Sequence, residues 1–466
     1  MLQFTPLGKK VNLIKEYVRK SEISFCDISL GVKFMWRDDF IIDYAVINDT
    51  LILKESSQDY ADAFYYPMGS DIDGALKEIE EYCIKNHKPL LFCCIDNLKA
   101  AALASRYNKV NIKNDRDWSD YIYDAEKFKT YSGKKFSGQR NHVNKFKRLY
   151  PDYKFKVIDQ NDFSRIKEFL LEYESGADFM RWSEQVEQKK VFELVENMFA
   201  LDQVGGLIEV GGKVIAFSIG EVIGNTLIVH IEKALKKYEG IYPTMASEFA
   251  KAFVDGVKFI NREEDCGDEG LRISKLQYQP VEVKEKNFVS VKTLFDEISA
   301  PVLLKTERLE ISAISENDKF DYAKLYLDDD LNRLWGYDYR EDLKGEEPTP
   351  EYFYSFQNKL KEVKEEYSFA VRLNGKMIGE LVLHNFDFYG GVEMGFRFFK
   401  DYHGKGYALE SALALKNYVK TVMHAKTLKS RCYKENFASA KLINRLGLTK
   451  SGEDSTHYYF STGLSE

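Results

Sequence analysis

From Phe398 to Ala408 the chain reads Phe398-Phe399-Lys400-Asp401-Tyr402-His403-Gly404-Lys405-Gly406-Tyr407-Ala408. Val392 to Phe399 has the pattern of a strand ending in aromatics, and Ala408, Ala412, Leu415 and Val419 recur at helical spacing. A Gly-x-Gly turn between a strand and a helix start aims unpaired backbone N–H groups at one point, where the positive end of the helix dipole adds to them. Such a corner binds phosphate without basic side chains, and glycine lets a pyrophosphate come close to the backbone. A plain strand-to-helix turn uses the same two glycines, so the flanking residues carry the decision.

The run His403 to Ala408 resembles the acyl-CoA pyrophosphate loop of the GNAT N-acetyltransferases, especially the branch that acetylates ribosomal-protein N-termini. Three more stretches follow that family's order. Thr306-Glu307-Arg308-Leu309 is similar to its opening strand. Asn374-Gly375 turns a hairpin between Ser368–Leu373 and Lys376–Leu383, where the family has its second and third strands. Asn436-Phe437-Ala438-Ser439, then Leu446-Gly447-Leu448, is similar to its late helix and strand. The resemblance covers 302–466 and departs at Asp401, where many members have Gln or Arg, and at His403, where this branch often has Trp. It implies acetyl-CoA as cosubstrate, held by Phe398, Phe399, His403, Gly404, Lys405, Gly406, Tyr407, Ala408 and Asn436, with an amine acceptor and no metal.

Acyl transfer to an amine needs a held thioester, a base for the ammonium proton, a donor for the developing oxyanion and a proton for the leaving thiolate. The family often places an acid where Glu393 stands, so Glu393 is the candidate base; a surface carboxylate on a polar strand face is the other reading. Backbone N–H groups near Phe398 are the candidate oxyanion donors. Asn436 resembles the residue that bonds near the pantetheine arm, and Ser439 is the candidate acid for the sulfur; a helix cap and a small packing residue are the alternatives. The acids of Asp328-Asp329-Asp330 and Trp335-Gly336-Tyr337-Asp338-Tyr339 lie where the family walls its acceptor site. They suit a basic acceptor such as a peptide N-terminus, an amino acid or a small amine, or else they are solvated acids at helix ends.

A second candidate lies upstream. Lys127, Lys129, Lys134, Lys135, Arg140, Lys145, Lys147 and Arg148 occur with no acid among them, interleaved with Phe128, Tyr131, Phe136 and Phe146. Such a stretch binds phosphates and stacks on bases, or it is a solvated helix face whose aromatics serve the core. Tyr131 to Phe146, and Asn261 to Arg272 with Lys275 and Pro280, resemble the two distinctive segments of the phosphatidylglycerol lysyltransferase C-terminal-domain family, a match over 1–290. That resemblance implies paired GNAT-like halves and, at Lys134, Lys135, Arg140, Arg262, Arg272 and Lys275, a site for an anionic ligand such as a tRNA acceptor end. Two roles are open, an aminoacyl-tRNA-dependent transferase or a non-catalytic binding module. Asp265 and Asp268 beside these arginines would complete the site or merely fix a loop. An internal repeat aligns Gly211-Gly212 with Asn374-Gly375, Tyr238 with Tyr402, Gly240 with Gly404 and Tyr242 with Gly406, so Tyr242 is expected to spoil the middle copy for CoA.

These residues need scaffolds. At 466 residues, 44% hydrophobic and 14% aromatic, the chain is globular and long enough for two or three cores. The expected fold is α/β (α+β), with tandem GNAT-like mixed sheets flanked by helices in three modules. These are 1–115, 116–290 and 302–466, with a linker at 291–301 and a short helix from Val291 to Ile298. A hairpin turns at Asn48-Asp49, Asp71 or Asp73 caps a helix, and Leu90–Ile95 is a strand on which Cys93 and Cys94 should face opposite ways. Residues 1–110 hold no evident chemistry. A net charge of -7 argues against wholesale nucleic-acid coating. No apolar run approaches the ~18 residues of a membrane span, so no membrane insertion is expected, and without the transmembrane part of the lipid-modifying members of the lysyltransferase family the resemblance does not imply a lipid acceptor. Lys9, Lys10, Asn12, Lys15 and Glu16 break up any secretory segment, and six cysteines without metal spacing fit a reducing cytoplasm.

Overall fold

The computed structural model describes residues 2–20, 25–58, 60, 62–175, 182–336, 338–343 and 345–464. Among them, three mixed sheets flanked by helices carry the chain. Met1–Tyr82, Leu90–Ala100 and Ile112–Val289 form one compact unit; Cys83–Pro89, Ala101–Asn111 and Ser290–Glu466 form the other.

In the first unit, local chemistry sets the turns. Asn48 and Asp49 take φ 45° and 53°, the left-handed pair that lets a two-residue loop join twisted strands, here Ile41–Ile47 and Thr50–Ser56. Asp71 accepts from the Gly74 N–H at 2.9 Å and so starts the helix Ile72–Lys85. Leu90–Ile95 is a strand, as the apolar run predicts. The second sheet orders Glu282–Lys284, Asp120–Asp124, Phe259–Asn261, Thr226–Ala234, Lys213–Ile223, Val204–Val210 and Lys154–Val157. One apolar cluster joins both halves of the unit, taking Leu51, Leu53 and Cys93 from the first and Phe217, Ile219 and Phe249 from the second.

The expected helix from Val291 to Ile298 does not form. Asn287–Lys292 is a strand with strictly alternating burial, and Leu294–Glu297 is a single 3-10 turn. Val289 and Val291 fit a pleated strand better than a helix, and a two-residue period overrides the short apolar run.

The second unit's sheet orders Leu303–Lys305, Leu309–Ala313, Glu366–Leu373, Lys376–His384, Gly391–Phe398, Thr427–Tyr433, His457–Gly463 and Thr449–Glu453. Asn374 (φ 52°) and Gly375 (φ 79°) make the hairpin turn read from the sequence. Thr306 to Arg308 is the tight connection between the first two strands and not itself a strand. Gly391–Phe398 pairs in parallel with Thr427–Tyr433 only from Gly391 to Glu393, so beyond Glu393 these two strands part. One face of this sheet is apolar: Tyr367, Phe369, Leu381, Leu383, Met394 and Phe398 pack with Leu415 and Val419 of the helix Tyr407–Thr421. The alternate residues Glu366, Ser368, Glu380, His384, Glu393 and Arg397 make the other face.

Candidate functional site

Gly404 and Gly406 stand at φ 74° and 84°, and Gly406 is the N-cap of the 15-residue helix Tyr407–Thr421. A Cβ at Gly404 would meet nothing within 4 Å, and one at Gly406 only Arg308 Nη2 at 3.4 Å. The glycines therefore serve the left-handed backbone and leave an open mouth over the first helical N–H groups, which have no intrahelical partner. This cradle fits a pyrophosphate. Arg308 braces it: Nε donates to Glu410 at 2.7 Å, Nη1 donates to the Lys405 carbonyl at 3.2 Å, and the guanidinium lies 4.6 Å from the Tyr407 ring centre. Glu410 also accepts from the Thr306 hydroxyl at 2.5 Å. His403 Nε2 donates to the Phe398 carbonyl at 2.8 Å, tying the corner to the strand end. The Phe398 ring is buried in the core and Phe399 packs beside a second apolar cluster, so both offer the site backbone only.

Glu393 sits at the last paired position before the strands part. Its Oε2 accepts from Asn385 Nδ2 at 2.9 Å, and its Oε1 lies 3.3 Å from Arg431 Nε and 3.9 Å from His384 Nε2. Asn436 accepts the Ser439 N–H at 3.1 Å and caps the helix Phe437–Arg445. Burial pushes the Cys432 thiol up, while a hydrogen bond from Ser439 works against that.

The face around Glu393 also holds residues that the sequence reading passed over. Arg397 is paired with Glu380, both buried, and donates to Asn332 Oδ1 at 2.8 Å. Its guanidinium is 4.2 Å from the Tyr326 ring centre and 5.0 Å from that of Trp335. Trp335 lies on Gly395, where a Cβ would stand 2.7 Å from the indole. Burial, then the neighbouring Glu380, pushes the Glu366 carboxyl up to about 7. Burial holds His384 below its ordinary value. The signal was the strand alternation Glu366-Tyr367-Ser368-Phe369, which separates a polar from an apolar face. The acids expected to face a basic acceptor are partnered: Asp329 and Asp338 with Arg340 at 2.8 and 3.1 Å, Asp330 with Lys400 at 2.5 Å, while Asp328 caps a helix. Tyr337 lies outside the described residues.

In the first unit the structure resets the repeat. Gly240, at φ 83°, is the N-cap of Ile241–Phe253 and so corresponds to Gly406, not Gly404; Tyr238 takes the place of the first glycine. A Cβ at Gly240 would strike the His142 carbonyl at 2.2 Å. What covers this helix start is the backbone of the basic helix Ser137–Leu149, and not Tyr242. That helix does not offer aromatics for bases: Phe128, Tyr131, Phe136 and Phe146 are all buried. Lys145 pairs with Glu239, and Lys147 approaches Glu248 at 3.7 Å. Arg140 donates to the carbonyls of Tyr131 and Gly133, whereas Lys134 and Lys135 are exposed.

The other residues named for an anionic ligand separate in the same way. Arg272 bonds Asp265 at 2.7 Å and Asp117 at 2.5 Å, and Asp268 accepts the Leu271 N–H at 2.7 Å. Burial opposes charge on Asp265, yet Arg272, Tyr121 and the Gly267 N–H hold its carboxyl far below the usual range. These groups fix the loop. Lys275 donates to the carbonyls of Arg262, Glu263 and Glu264. Arg262 bonds Glu232 at 2.8 Å and faces a cavity of about 1030 Å³.

That cavity draws on residues 1–110 as well, where no chemistry was expected: Lys33, Glu55, Tyr60, Tyr65, Cys93 and Cys94 line it. Cys94 takes φ 53°, which breaks the strand alternation and brings both thiols to the wall instead of opposite faces. Lys33 Nζ and Arg262 Nη1 are buried on this wall without a hydrogen-bond partner, though Lys33 lies 3.9 Å from the Tyr65 ring centre. Cys26, Asp27 and Asp120 have metal-ligand types in close reach. Lys286 takes that position, 2.5 Å from Asp27, 2.7 Å from Asp120 and 3.2 Å from Glu264. His230 bonds Glu263 at 2.7 Å and Glu221 at 3.3 Å; burial works against its charge, but the two carboxylates win and lift it to about 9.

A family model described as phosphatidylglycerol lysyltransferase, C-terminal, matches residues 20–289, and one described as acetyltransferase (GNAT) domain matches residues 308–449. A crystal structure of a conserved protein of unknown function from Bacteroides thetaiotaomicron is 31% identical, covering 63% of this chain and 100% of its own, with a TM-score of 0.58. A GNAT-family acetyltransferase structure from Bacillus anthracis is 25% identical, covering 35% of this chain and 100% of its own, with a TM-score of 0.30. An uncharacterised protein of Mycoplasmoides gallisepticum is 24% identical over 209 residues, 42% of this chain. The chain spans 64% of that relative's length.

Proposed function

Starting from a chain that belongs to the phosphatidylglycerol lysyltransferase C-terminal family and carries a GNAT acetyltransferase domain at residues 308–449, we propose that this domain moves an acetyl group from acetyl-CoA to a primary amine. The observation that carries the reading is the open, left-handed Gly404–Gly406 corner at a helix start, beside a strand pair that parts after Glu393. Bound acetyl-CoA supplies an activated acetyl group as a thioester. The chain's own part is to hold the pyrophosphate on the N–H groups from Gly404 to Ala408, with His403 closing the corner through its N–H to the Lys400 carbonyl, and to turn strand N–H groups near Phe398 toward the carbonyl. Glu393 takes the ammonium proton and Ser439 returns one to sulfur, with Asn436 steadying that helix start. Titration calorimetry tests the binding half. The wild-type chain should bind acetyl-CoA, and Gly406→Tyr, which fills the cradle, should weaken it at least tenfold. Unchanged affinity in the variant removes the reading.

Lys33 Nζ and Arg262 Nη1, buried and unpartnered on one cavity wall, favour a second reading for the first unit. It takes an anionic ligand or an aminoacyl group, with exposed Lys134 and Lys135 guiding a tRNA acceptor end. Each phosphate contact contributes about 0.9 to the slope of log affinity against log salt, so replacing both lysines by Ala should lower the slope by about two. Filter binding with tRNA across a salt series reads this; no retention by the wild type at low salt ends the reading. Aminoacyl turnover would separate a transferase from a binding module. Among the described residues, no helix is long and apolar enough to cross a membrane, and the six free cysteines support placing the protein in the cytoplasm.

A further inference from the structure

Glu366, His384 and Glu393 stand directly opposite one another on three adjacent strands, so three titratable side chains form one row on one face of the second unit's sheet. His384 Nε2 is 3.9 Å from Glu393 Oε1. Directly opposed residues of antiparallel strands hold their Cβ atoms about 4.5–5.5 Å apart, so Glu366 starts from the position next to His384, and its Oε1 accepts from the Ser368 hydroxyl at 3.0 Å. The row begins where Gly391–Phe398 loses its parallel partner and runs to Glu366, a half-buried acid at the start of the strand Glu366–Leu373.

We propose that Glu366, acting through His384, receives the proton that the acceptor amine gives up at Glu393. This rests on the acetyl-transfer reading above. The ammonium N–H bond breaks and its electron pair stays on nitrogen as the nucleophile. The proton passes to Glu393 and on to one ring nitrogen of His384, while the proton on the other ring nitrogen moves to the Glu366 carboxylate. One O–H bond forms, and nothing is oxidised or reduced. The Glu393 oxygen nearest His384 is the one paired with Arg431 at 3.3 Å. His384, kept neutral by burial, can accept on one nitrogen and donate from the other. The groups facing Glu366 are Glu365 just before its strand, Ser368 on it, Glu380 and His384 on the next, Arg397 beyond, and Tyr322 and Tyr326 from the covering helix Lys319–Leu327. Burial and Glu380 raise the carboxyl to about 7, against Ser368 and Arg397, and a proton acceptor works best with a value near the working pH.

The test uses the full chain, Glu366→Gln and His384→Gln. Free-thiol release from acetyl-CoA is followed from pH 5.5 to 9 with putrescine and with pentapeptide amides beginning in Ser, Ala or Met. In parallel, carbon-13 NMR follows glutamate carboxyls through the same range. The wild type should lose kcat/KM tenfold per pH unit below about 7, and NMR should show a glutamate titrating there that is missing in Glu366→Gln. Both variants should lose that acid limb and about 10²-fold in rate at pH 8, with acetyl-CoA affinity unchanged. If Glu366→Gln does not fold, His384→Gln carries the kinetic arm. An acid limb that persists in the variants, or no glutamate titrating near 7, overturns the relay alone. No thiol release with any acceptor, from a protein that binds acetyl-CoA, overturns the acetyl-transfer reading and the relay with it.

Discussion

Glu393 is engaged on both oxygens, by Asn385 on one and by Arg431 and His384 on the other, which aims the carboxylate along the sheet face. Glu393→Gln keeps the shape and removes the proton acceptor. Turnover should fall by ~10²–10⁴ with acetyl-CoA affinity nearly unchanged, measured by thiol release and calorimetry. A loss below about threefold would return Glu393 to a structural role. Lys286 shows the opposite case, a charged residue that serves the fold. Its ammonium is buried among Asp27, Asp120, Glu264 and Cys26; burial opposes the charge, but the acids around it raise Lys286 well above its ordinary value. Lys286→Met leaves those acids uncompensated and should cost about 3–5 kcal/mol in urea unfolding.

At the scale of elements, the Gly404–Gly406 corner is held by a neighbour distant in sequence. Thr306 and Arg308 lie in the connection Thr306–Arg308, and Glu410 in the first turn of Tyr407–Thr421, so the brace joins a strand turn to the helix that bears the phosphate mouth. Glu410→Ala should let the loop move and weaken acetyl-CoA by about tenfold in calorimetry, without the block expected from Gly406→Tyr. In the first unit, His230 does comparable work. Its ring would lie 2.6 Å from a Cβ at Gly31, and Glu221 accepts the Gly31 N–H at 3.1 Å, so the helix Leu30–Met35 is seated on the His230 ion cluster. The folded ring titrates at about 9, above its ordinary 6.5. A raised cation stabilises fully below 6.5 and loses that contribution as pH rises through 9. Urea midpoints should therefore fall between pH 7 and 10 in the wild type, and His230→Gln should flatten that fall.

For the whole molecule, binding and stability are linked. Acetyl-CoA at a hundred times its Kd should stabilise the chain by about 2.7 kcal/mol, because the unfolded chain has no Gly404–Gly406 corner to bind it. Gly406→Tyr should abolish the shift in thermal midpoint. The net charge of -7 does not forbid an RNA contact, and within the basic stretch Lys134 and Lys135 are exposed. Of the basic stretch, Lys145 and Lys147 face Glu239 and Glu248, and Arg140 is held by carbonyls.

The sequence alone was sufficient wherever the cause is local. Asn48-Asp49 and Asn374-Gly375 specify left-handed turns, Asp71 specifies a helix start, and Gly404-Lys405-Gly406 specifies an open corner, because each rests on backbone angles or a bond within a few residues. The mixed-sheet fold and its two family segments were legible for the same reason. Tertiary structure decided which charges are available. Arg272 and Lys275 read as ligand donors until Asp117, Asp265 and three carbonyls claim them. Gly240 reads as the first glycine of a repeat until the register and the His142 carbonyl above it show otherwise. Lys33, on the helix Leu30–Met35, and Arg262, just after the strand Phe259–Asn261, share a cavity only through tertiary packing, and Glu366 gains its role from the strands beside it. A side chain's partner comes from anywhere in the chain, so its burial, its pairing and its proton affinity are properties of the packed molecule.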